Sequence, residues 1–382
     1  MTPAARLSAA IEVLDRILAG APAEQALTGW GRANRFAGSG DRYALRDLVF
    51  EALRCRRSFA ALGGSESGRG LILGSLRAAG TEPATMFTGV AHAPTPVQSD
   101  EVGRDPELLE ALDCTEWLAP RLQSSLGEDF APVMMTLRQR APVFLRVNAR
   151  NATRDVAMRS LSDEGITTRN CDWVNTALEV TGNARKIQTS AAYVTGVVEL
   201  QDASSQAVVA ALDLQDGTRV LDYCAGGGGK TLAMAAFGVI PDAHDANPSR
   251  MRDLPARAAR AGAKVSLIKN PTVSEPYDLI LADVPCSGSG SWRRDPQGKW
   301  ALTEAKLNDL IKLQAQILDS VLAFVKPGGV LAYATCSLLA DENEAQVADF
   351  IARHPDWRLM DQRRFSPLHG GDGFFLARLT QV

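Results

Sequence analysis

Arg219-Val220-Leu221-Asp222-Tyr223-Cys224-Ala225-Gly226-Gly227-Gly228-Gly229-Lys230-Thr231 passes from a short apolar run through four glycines into a helical pattern over 230–237. An apolar run of this length before a turn predicts a buried strand. Glycines let the backbone take positive φ and approach a ligand closely where the next helix begins. Strand, glycine turn and helix in succession open a mostly parallel α/β sheet. The alternation continues downstream. A second strand ends at Ala243-His244-Asp245, a helix covers 248–261 with Pro248 in its first turn, and a third strand covers 264–268. Two longer apolar strands cover 277–283 and 329–335, with a helix over 303–324 between them. Asp341 and Glu344 have the spacing of a capping box for a helix reaching about 353, and 373–379 reads as a closing strand.

Acidic residues fall at successive strand ends: Asp222, Asp245 and Asp283. Open α/β sheets keep their ligands at the carboxyl ends of strands. Carboxylates there suit a cationic, ribose-bearing cofactor such as S-adenosylmethionine better than the pyrophosphate of NAD. Asp245 lies about twenty residues beyond the glycine tract, where an acid can accept both ribose hydroxyls. Counted from Gly226, the tract lacks the separation of a phosphate-binding loop. Two cysteines occupy the turns after the two long strands, in Asp283-Val284-Pro285-Cys286-Ser287-Gly288-Ser289-Gly290 and Tyr333-Ala334-Thr335-Cys336-Ser337. A thiol at a ligand crevice is a candidate nucleophile, since the thiolate is intrinsically the most reactive side chain available near neutral pH. Two of them suggest a reaction that makes and then breaks a covalent bond.

Upstream, Leu7, Ala10, Ile11, Leu14, Ile17 and Leu18 repeat at helical spacing, as do Tyr43, Leu45, Leu48, Val49, Ala52 and Leu53. The series breaks at 63–68, and a proline-bearing connection follows over 91–100. The expected organisation is an all-α domain over 1–110, linker helices with a small α+β module over 111–200, and a Rossmann-like catalytic domain over 201–382. With 382 residues, 46% of them hydrophobic, the chain has ordinary globular composition, and no stretch has the length and apolarity of a membrane span. The six cysteines show no C-x-x-C pair, which argues against a zinc cage or a secreted disulfide scaffold, so no metal is expected and a cytoplasmic location is. Net charge is only −3, yet seven arginines lie within 32–57 against three acids, and seven within 138–169 against three. Each cluster fits a phosphate-contacting patch.

The run Asp283-x-Pro285-Cys286-Ser287-Gly288-x-Gly290, followed by Arg293-Arg294-x-Pro296, Tyr333-x-Thr335-Cys336-Ser337 and Glu342-Asn343-Glu344, resembles the RNA cytosine-5 methyltransferases that carry one cysteine in each of two motifs. The resemblance covers roughly 140–382, and the front end resembles, more loosely, the NusB-like domain of the bacterial small-subunit ribosomal RNA member. Two departures stand out: Gly226-Gly227 where the family usually has Ala-Pro, and Lys269-Asn270 where it has an aspartate after the third strand. Asn270 is the expected replacement for the group that reads the adenine amine.

The resemblance implies a Rossmann-like, S-adenosylmethionine-dependent fold and methylation of C5 of a cytidine in structured RNA, most plainly 16S ribosomal RNA. It implies Cys336 as the attacking nucleophile on C6, Cys286 as the residue assisting C5 deprotonation and release, Asp283 on the base edge, and Lys230 beside that pocket. Cys224, Ala225, Gly226, Gly228, Lys230, Asp245, Arg250, Asn270 and Asp283 form the expected cofactor set. Arg146, Asn148, Arg293 and Arg294 form the expected RNA contacts, with Trp292 beside an extruded nucleotide. Nothing in the sequence reports an oligomeric state, and a monomer is the default. A competing reading is a non-catalytic RNA-binding ribosome-assembly factor on a methyltransferase scaffold. An exocyclic amino methyltransferase would need a proline and an aromatic where Cys286 and Ser287 stand.

Overall fold

The computed structural model describes every residue except Val273 and divides into two compact units. One comprises 1–140 together with 292–301; the other comprises 141–291 and 302–382. The helices over 111–140 therefore belong with the all-α unit, and the small α+β module belongs with the sheet that carries the cysteines.

The helical unit begins with Pro3–Leu18, whose start is fixed by Thr2 accepting from the Ala5 amide and by proline in the first turn. Its buried face is Leu7, Ala10, Val13, Leu14 and Ile17, the spacing of a core-facing stripe. Ser39–Arg54 adds Leu45, Val49, Ala52 and Leu53 to the same core. Helix Arg56–Gly63 stops at left-handed Gly64, and Ser67 caps Gly68–Ala78, so the glycine-serine run is a tight connection between packed helices. Segment 292–301 lies far away in sequence yet packs here. The Trp300 indole donates to the Leu53 carbonyl at 2.6 Å, and the Gln297 amide bridges Ala21 and Ala23.

In the second unit, β1 (Val143–Val147), β2 (Thr167–Asn170), β3 (Ala177–Gly182) and β4 (Val198–Leu200) form an antiparallel sheet of order β2-β3-β1-β4. Leu145 and Val147 face a core with Ala157 and Leu161 of helix Arg154–Asp163. Strand alternation turns Arg146 the other way.

The larger sheet contains β5 (Val220–Asp222), β6 (Asp242–Ala243), β7 (Ser266–Leu267), β8 (Tyr277–Asp283), β9 (Val325–Thr335), β10 (Trp357–Phe365) and β11 (Phe374–Gln381), in the order β10-β11-β9-β8-β5-β6-β7. β5 to β9 run parallel, and β11 pairs antiparallel with both β9 and β10. Both faces are covered, which explains the continuous apolar runs. Ile280, Ala282, Leu331 and Tyr333 meet Leu318, Val321, Val347 and Phe350 on one side; Leu279, Leu281, Ala332 and Ala334 meet Val208, Val209, Ala233 and Met234 on the other.

Local readings shift in three places. The helix expected over 248–261 is a 3₁₀ turn, Pro248–Met251, and then Leu254–Ala261 with Pro255 in its first turn. Asp341 does not cap the last helix. Asn343 occupies that position, and its side chain is committed to Thr335 and to the Ser337 carbonyl. Strand β10 was not read from the sequence, because Arg358, Asp361, Gln362, Arg363 and Arg364 give this edge strand a polar face.

Gly290 is where three strand ends meet. Its amide donates to the Cys336 carbonyl and its own carbonyl accepts from Gly373, both at 2.9 Å. A Cβ at Gly290 would lie 2.1 Å from the Gly373 carbonyl oxygen, backbone that cannot yield without unpairing β11. Gly290→Ala is expected to destabilise the chain by about 2–4 kcal/mol, measured as a lower midpoint in urea unfolding.

Candidate active site

The chain moves outward from β5 through β6 to β7, then returns to the opposite side of β5 with β8. The sheet's switch point therefore lies between β5 and β8, where a crevice opens at the carboxyl ends of the strands. Asp222 ends β5 and Asp283 ends β8. The glycine tract folds over this point, with Gly226 at φ +51° and Gly228 at φ +79°. A Cβ on Gly228 would come within 2.2 Å of Leu254 Cδ1, so both conformation and space require glycine there.

Asp245 is buried and accepts from the Gly226 amide and the Asn247 amide, each at 2.9 Å, which fixes its carboxylate against the tract. Arg250 lies 3.1 Å from the same carboxylate with its side chain 54% exposed. Asp222 accepts from the Thr231 hydroxyl at 2.6 Å through one oxygen, while its other oxygen is buried with no hydrogen-bond partner among the described residues. These groups fit S-adenosylmethionine. The free Asp222 oxygen is an acceptor for a cationic or hydroxyl donor, Asp245 keeps lone pairs for ribose, and the glycines leave backbone open to a ligand. Cys224 and Ala225 continue the tract, and Asn270 is exposed on the loop after β7.

The two motif cysteines converge. Cys286 Sγ and Cys336 Sγ are 3.3 Å apart, both half-buried and both unbonded thiols. β8 and β9 are parallel neighbours with Asp283 opposite Ala334, so the residues three and two places further on emerge side by side. Beside them Lys230 is buried, its Nζ 2.7 Å from Asp283 Oδ2 and 4.7 Å from the centre of the Phe374 ring.

Burial and neighbouring charge set the proton positions. Contact with Cys336, then burial, then the Cys336 and Glu342 charges hold the Cys286 thiol well above the usual range. Burial works to lower the Lys230 pKa, but Asp283, with smaller help from Cys336 and Asp222, more than offsets it, so the ammonium stays charged. Burial pushes Asp222 up to about 7, aided by Asp283 and Asp245 and opposed by Thr231 and Lys230. Burial and the same three carboxylates raise the Cys224 thiol, which keeps it protonated and unreactive.

Sequence reasoning gave no role to the group that holds the two loops together. Glu342 is fully buried and accepts from the Ser287 amide at 2.8 Å, the Ser287 and Ser337 hydroxyls, and the Gln314 amide at 2.9 Å. Gln314 also donates to the Pro285 carbonyl at 3.0 Å, and Ser289 Oγ accepts from the Leu338 amide at 2.8 Å. The motif serines and Glu342 were visible only as a pattern. Their roles depend on which loop each one reaches.

The expected RNA contacts need correction. Arg146 is 4% exposed and donates to the Gly229 carbonyl at 2.9 Å and to Gln201, anchoring the small module to the helix after the glycine tract. Burial lowers its pKa to about 10. Asn148 is buried and donates to the Ala261 carbonyl at 2.8 Å. Arg293 and Trp292 are buried within the helical unit, so neither presents a surface to a nucleotide; Arg294 is exposed. The arginine cluster over 138–169 is also largely committed, with Arg140 on Asp47, Arg169 on Glu179 and Arg150 on the Ala235 carbonyl.

Two outcomes test this geometry. Glu342→Ala leaves four donors unmatched in a buried site and should lower stability by about 3–5 kcal/mol, while the isosteric Glu342→Gln should retain more stability but still displace the loops, as read by urea unfolding and thiol reactivity. For Asp222 the folded pKa, about 7, lies above the ordinary carboxyl value. Its contribution is therefore fully present at low pH and is lost as pH rises through about 7. Wild-type stability relative to Asp222→Asn should fall by ~3–4 kcal/mol between about pH 4 and 7, measured by unfolding across pH.

The family described as 16S rRNA methyltransferase RsmB/F matches residues 209–380, and the ferredoxin-like domain of RsmF/B-like methyltransferases matches 114–186. Ribosomal RNA small subunit methyltransferase B of Klebsiella pneumoniae subsp. pneumoniae is 33% identical over 285 residues, covering 70% of this chain and 65% of the relative. The protein of the same name from Cronobacter sakazakii is 33% identical over 306 residues, covering 74% of this chain and 70% of the relative. The chain thus spans only about two thirds of the length of these relatives. The crystal structure of PH0851 shares the fold across 100% of this chain and 99% of its own, with a TM-score of 0.79 at 23% identity. With both motif cysteines at adjoining strand ends and these matches across the small module and the sheet, the chain belongs to the 16S rRNA methyltransferase RsmB/F family.

Proposed function

We propose that this chain methylates C5 of a cytidine in structured RNA, namely small-subunit ribosomal RNA, through a transient bond between Cys336 and C6 of the base. The observation that carries this reading is the 3.3 Å contact between the two thiols beside the Lys230–Asp283 pair. Cytosine C5 is a poor nucleophile, and addition of a thiolate to C6 moves the ring's π pair toward C5. S-adenosylmethionine, when bound, would supply the electrophilic methyl group, with Asp222, Asp245, Arg250 and the glycine tract as its holding residues.

The chain's own groups account for the proton traffic. Two thiols in contact resist double ionisation, so no more than one of them is a thiolate at a time. Cys336 attacks as thiolate while Cys286 keeps its proton. Once Cys336 is a neutral thioether, its hydrogen-bonded contact, the first cause of the raised Cys286 pKa, and its charge, which ranks after burial, are both weakened or gone. Cys286 can then ionise, take the proton from C5, and let the Cys336–C6 bond break with restoration of the ring. Asp283, held by Lys230, would accept from the exocyclic amine, and the Lys230 charge would steady the electron-rich adduct. The target base must leave its stack to reach the sulfurs.

Unmodified ribosomal RNA incubated with labelled S-adenosylmethionine should yield 5-methylcytidine with wild type. Cys336→Ala should abolish it by at least about a thousandfold. Cys286→Ala should accumulate a slow-migrating protein–RNA adduct on denaturing gels. Full activity in Cys336→Ala, or no adduct in Cys286→Ala under turnover conditions, would overturn the division of labour. Failure to bind S-adenosylmethionine would favour a scaffold role instead.

A further inference from the structure

Of the seven arginines within 32–57, most are already engaged. Arg46, Arg56 and Arg57 pair with Glu24, Glu66 and Glu116; Arg54 is buried; Arg42 donates to the Ala37 carbonyl at 3.1 Å. Arg32 and Arg35 are exposed, and among the described residues neither side chain has a hydrogen bond or an ion pair. Between and after them in sequence come Asn34 and Phe36. Phe36 is 75% exposed.

Phe36 stands at the rim of a cavity of about 530 Å³ whose walls include Trp30, Asn34, Ser8, Glu12 and His92. That volume accommodates a heterocycle with its sugar. The polar lining retains acceptors. Asn34 spends its amide nitrogen on the Trp30 carbonyl at 3.0 Å, which leaves its side-chain oxygen available, and Ser8 Oγ donates to the His92 carbonyl at 2.7 Å. Glu12 is paired with Arg16 and Asp41 with Arg6, so the acids near the cavity are neutralised. Ala91, on the loop that closes the cavity, is held at φ +54°, a conformation an alanine adopts only when its surroundings enforce it.

We propose that this corner of the helical unit is a single-stranded RNA subsite. Phe36 stacks on an unpaired base at the cavity mouth, and Arg32 and Arg35 contact neighbouring phosphates. An exposed aromatic directly after Arg35 and four residues after Arg32, both exposed and without an ion pair among the described residues, combines the two elements that bind unpaired nucleotides with little sequence preference. The proposal rests on the reading of the chain as one that acts on RNA.

The test uses the full chain, a fluorescent single-stranded oligoribonucleotide and a small-subunit ribosomal RNA transcript, read by equilibrium anisotropy over a salt series. Phe36→Ala should weaken oligonucleotide binding about tenfold, and Phe36→Trp should restore it. Arg32→Ala with Arg35→Ala should lower the slope of log affinity against log salt by about 1.4. Melting temperature and S-adenosylmethionine binding should stay at wild-type values in all three variants. Unchanged affinity in Phe36→Ala together with an unchanged slope in the double variant overturns the proposal. So does a Phe36-dependent self-association seen by sedimentation without any effect on RNA. A wild type that binds RNA through Phe36 yet forms no 5-methylcytidine sinks the catalytic reading and leaves this subsite standing. Wild-type methylation together with wild-type RNA affinity and salt slope in Phe36→Ala and in Arg32→Ala with Arg35→Ala does the reverse.

Discussion

Burying a carboxylate is tolerable only when hydrogen bonds replace its water, and Glu342 meets that condition with donors drawn from both cysteine loops and from helix Glu304–Val321. The Ser287 amide and hydroxyl come from the turn after β8, and the Ser337 hydroxyl comes from the turn after β9. Neither turn can drift without stranding part of that carboxylate. The sheet brings the two strand ends together; Glu342 then holds the two turns at the separation that leaves the sulfurs in contact. Tyr333 reinforces the arrangement from within the strand, its hydroxyl donating to the Glu342 carbonyl at 2.6 Å.

The same crevice concentrates groups that oppose one another electrostatically. Asp222, Asp245 and Asp283 stand at neighbouring strand ends, two thiols touch, and Lys230 is the buried cation beside them. Such a site is unfavourable for stability, since several of its groups are pushed away from their preferred protonation. The arrangement suits a ligand that brings positive charge and a reaction in which one thiolate is consumed before the other forms. In the proposed reaction, coupling between the thiols sets the order of events, because removing the charge on one sulfur is what allows the other to ionise.

Charge counts along the chain overstated the cationic surface. Arg146 and Asn148 sit in a motif that resembles an RNA-facing segment, but strand alternation turns Arg146 inward, where it donates to the Gly229 carbonyl at the start of the helix following the glycine tract. Arg293 and Trp292 follow the cysteine motif directly, yet they are packed with helices from the front of the chain. An arginine's charge is visible in one dimension, but whether an acid or a carbonyl has already claimed it is not. Arg32 and Arg35 look no different in sequence from Arg46 or Arg57, and only the fold leaves them without an ion pair among the described residues.

Alternation of apolar strands with helices, the glycine tract, the aspartates at strand ends and the two cysteine turns were legible from residue order, because each depends on local periodicity or on backbone conformations that few residues allow. Those features determined the fold class and identified both sulfurs. The tertiary structure alone decided that the sulfurs touch, that Glu342 joins their loops, that 292–301 packs with the helical unit, and which arginines remain free. These are contacts between residues tens or hundreds of positions apart, and pairing, burial and charge neutralisation at such range are properties of the packed chain that no local pattern encodes.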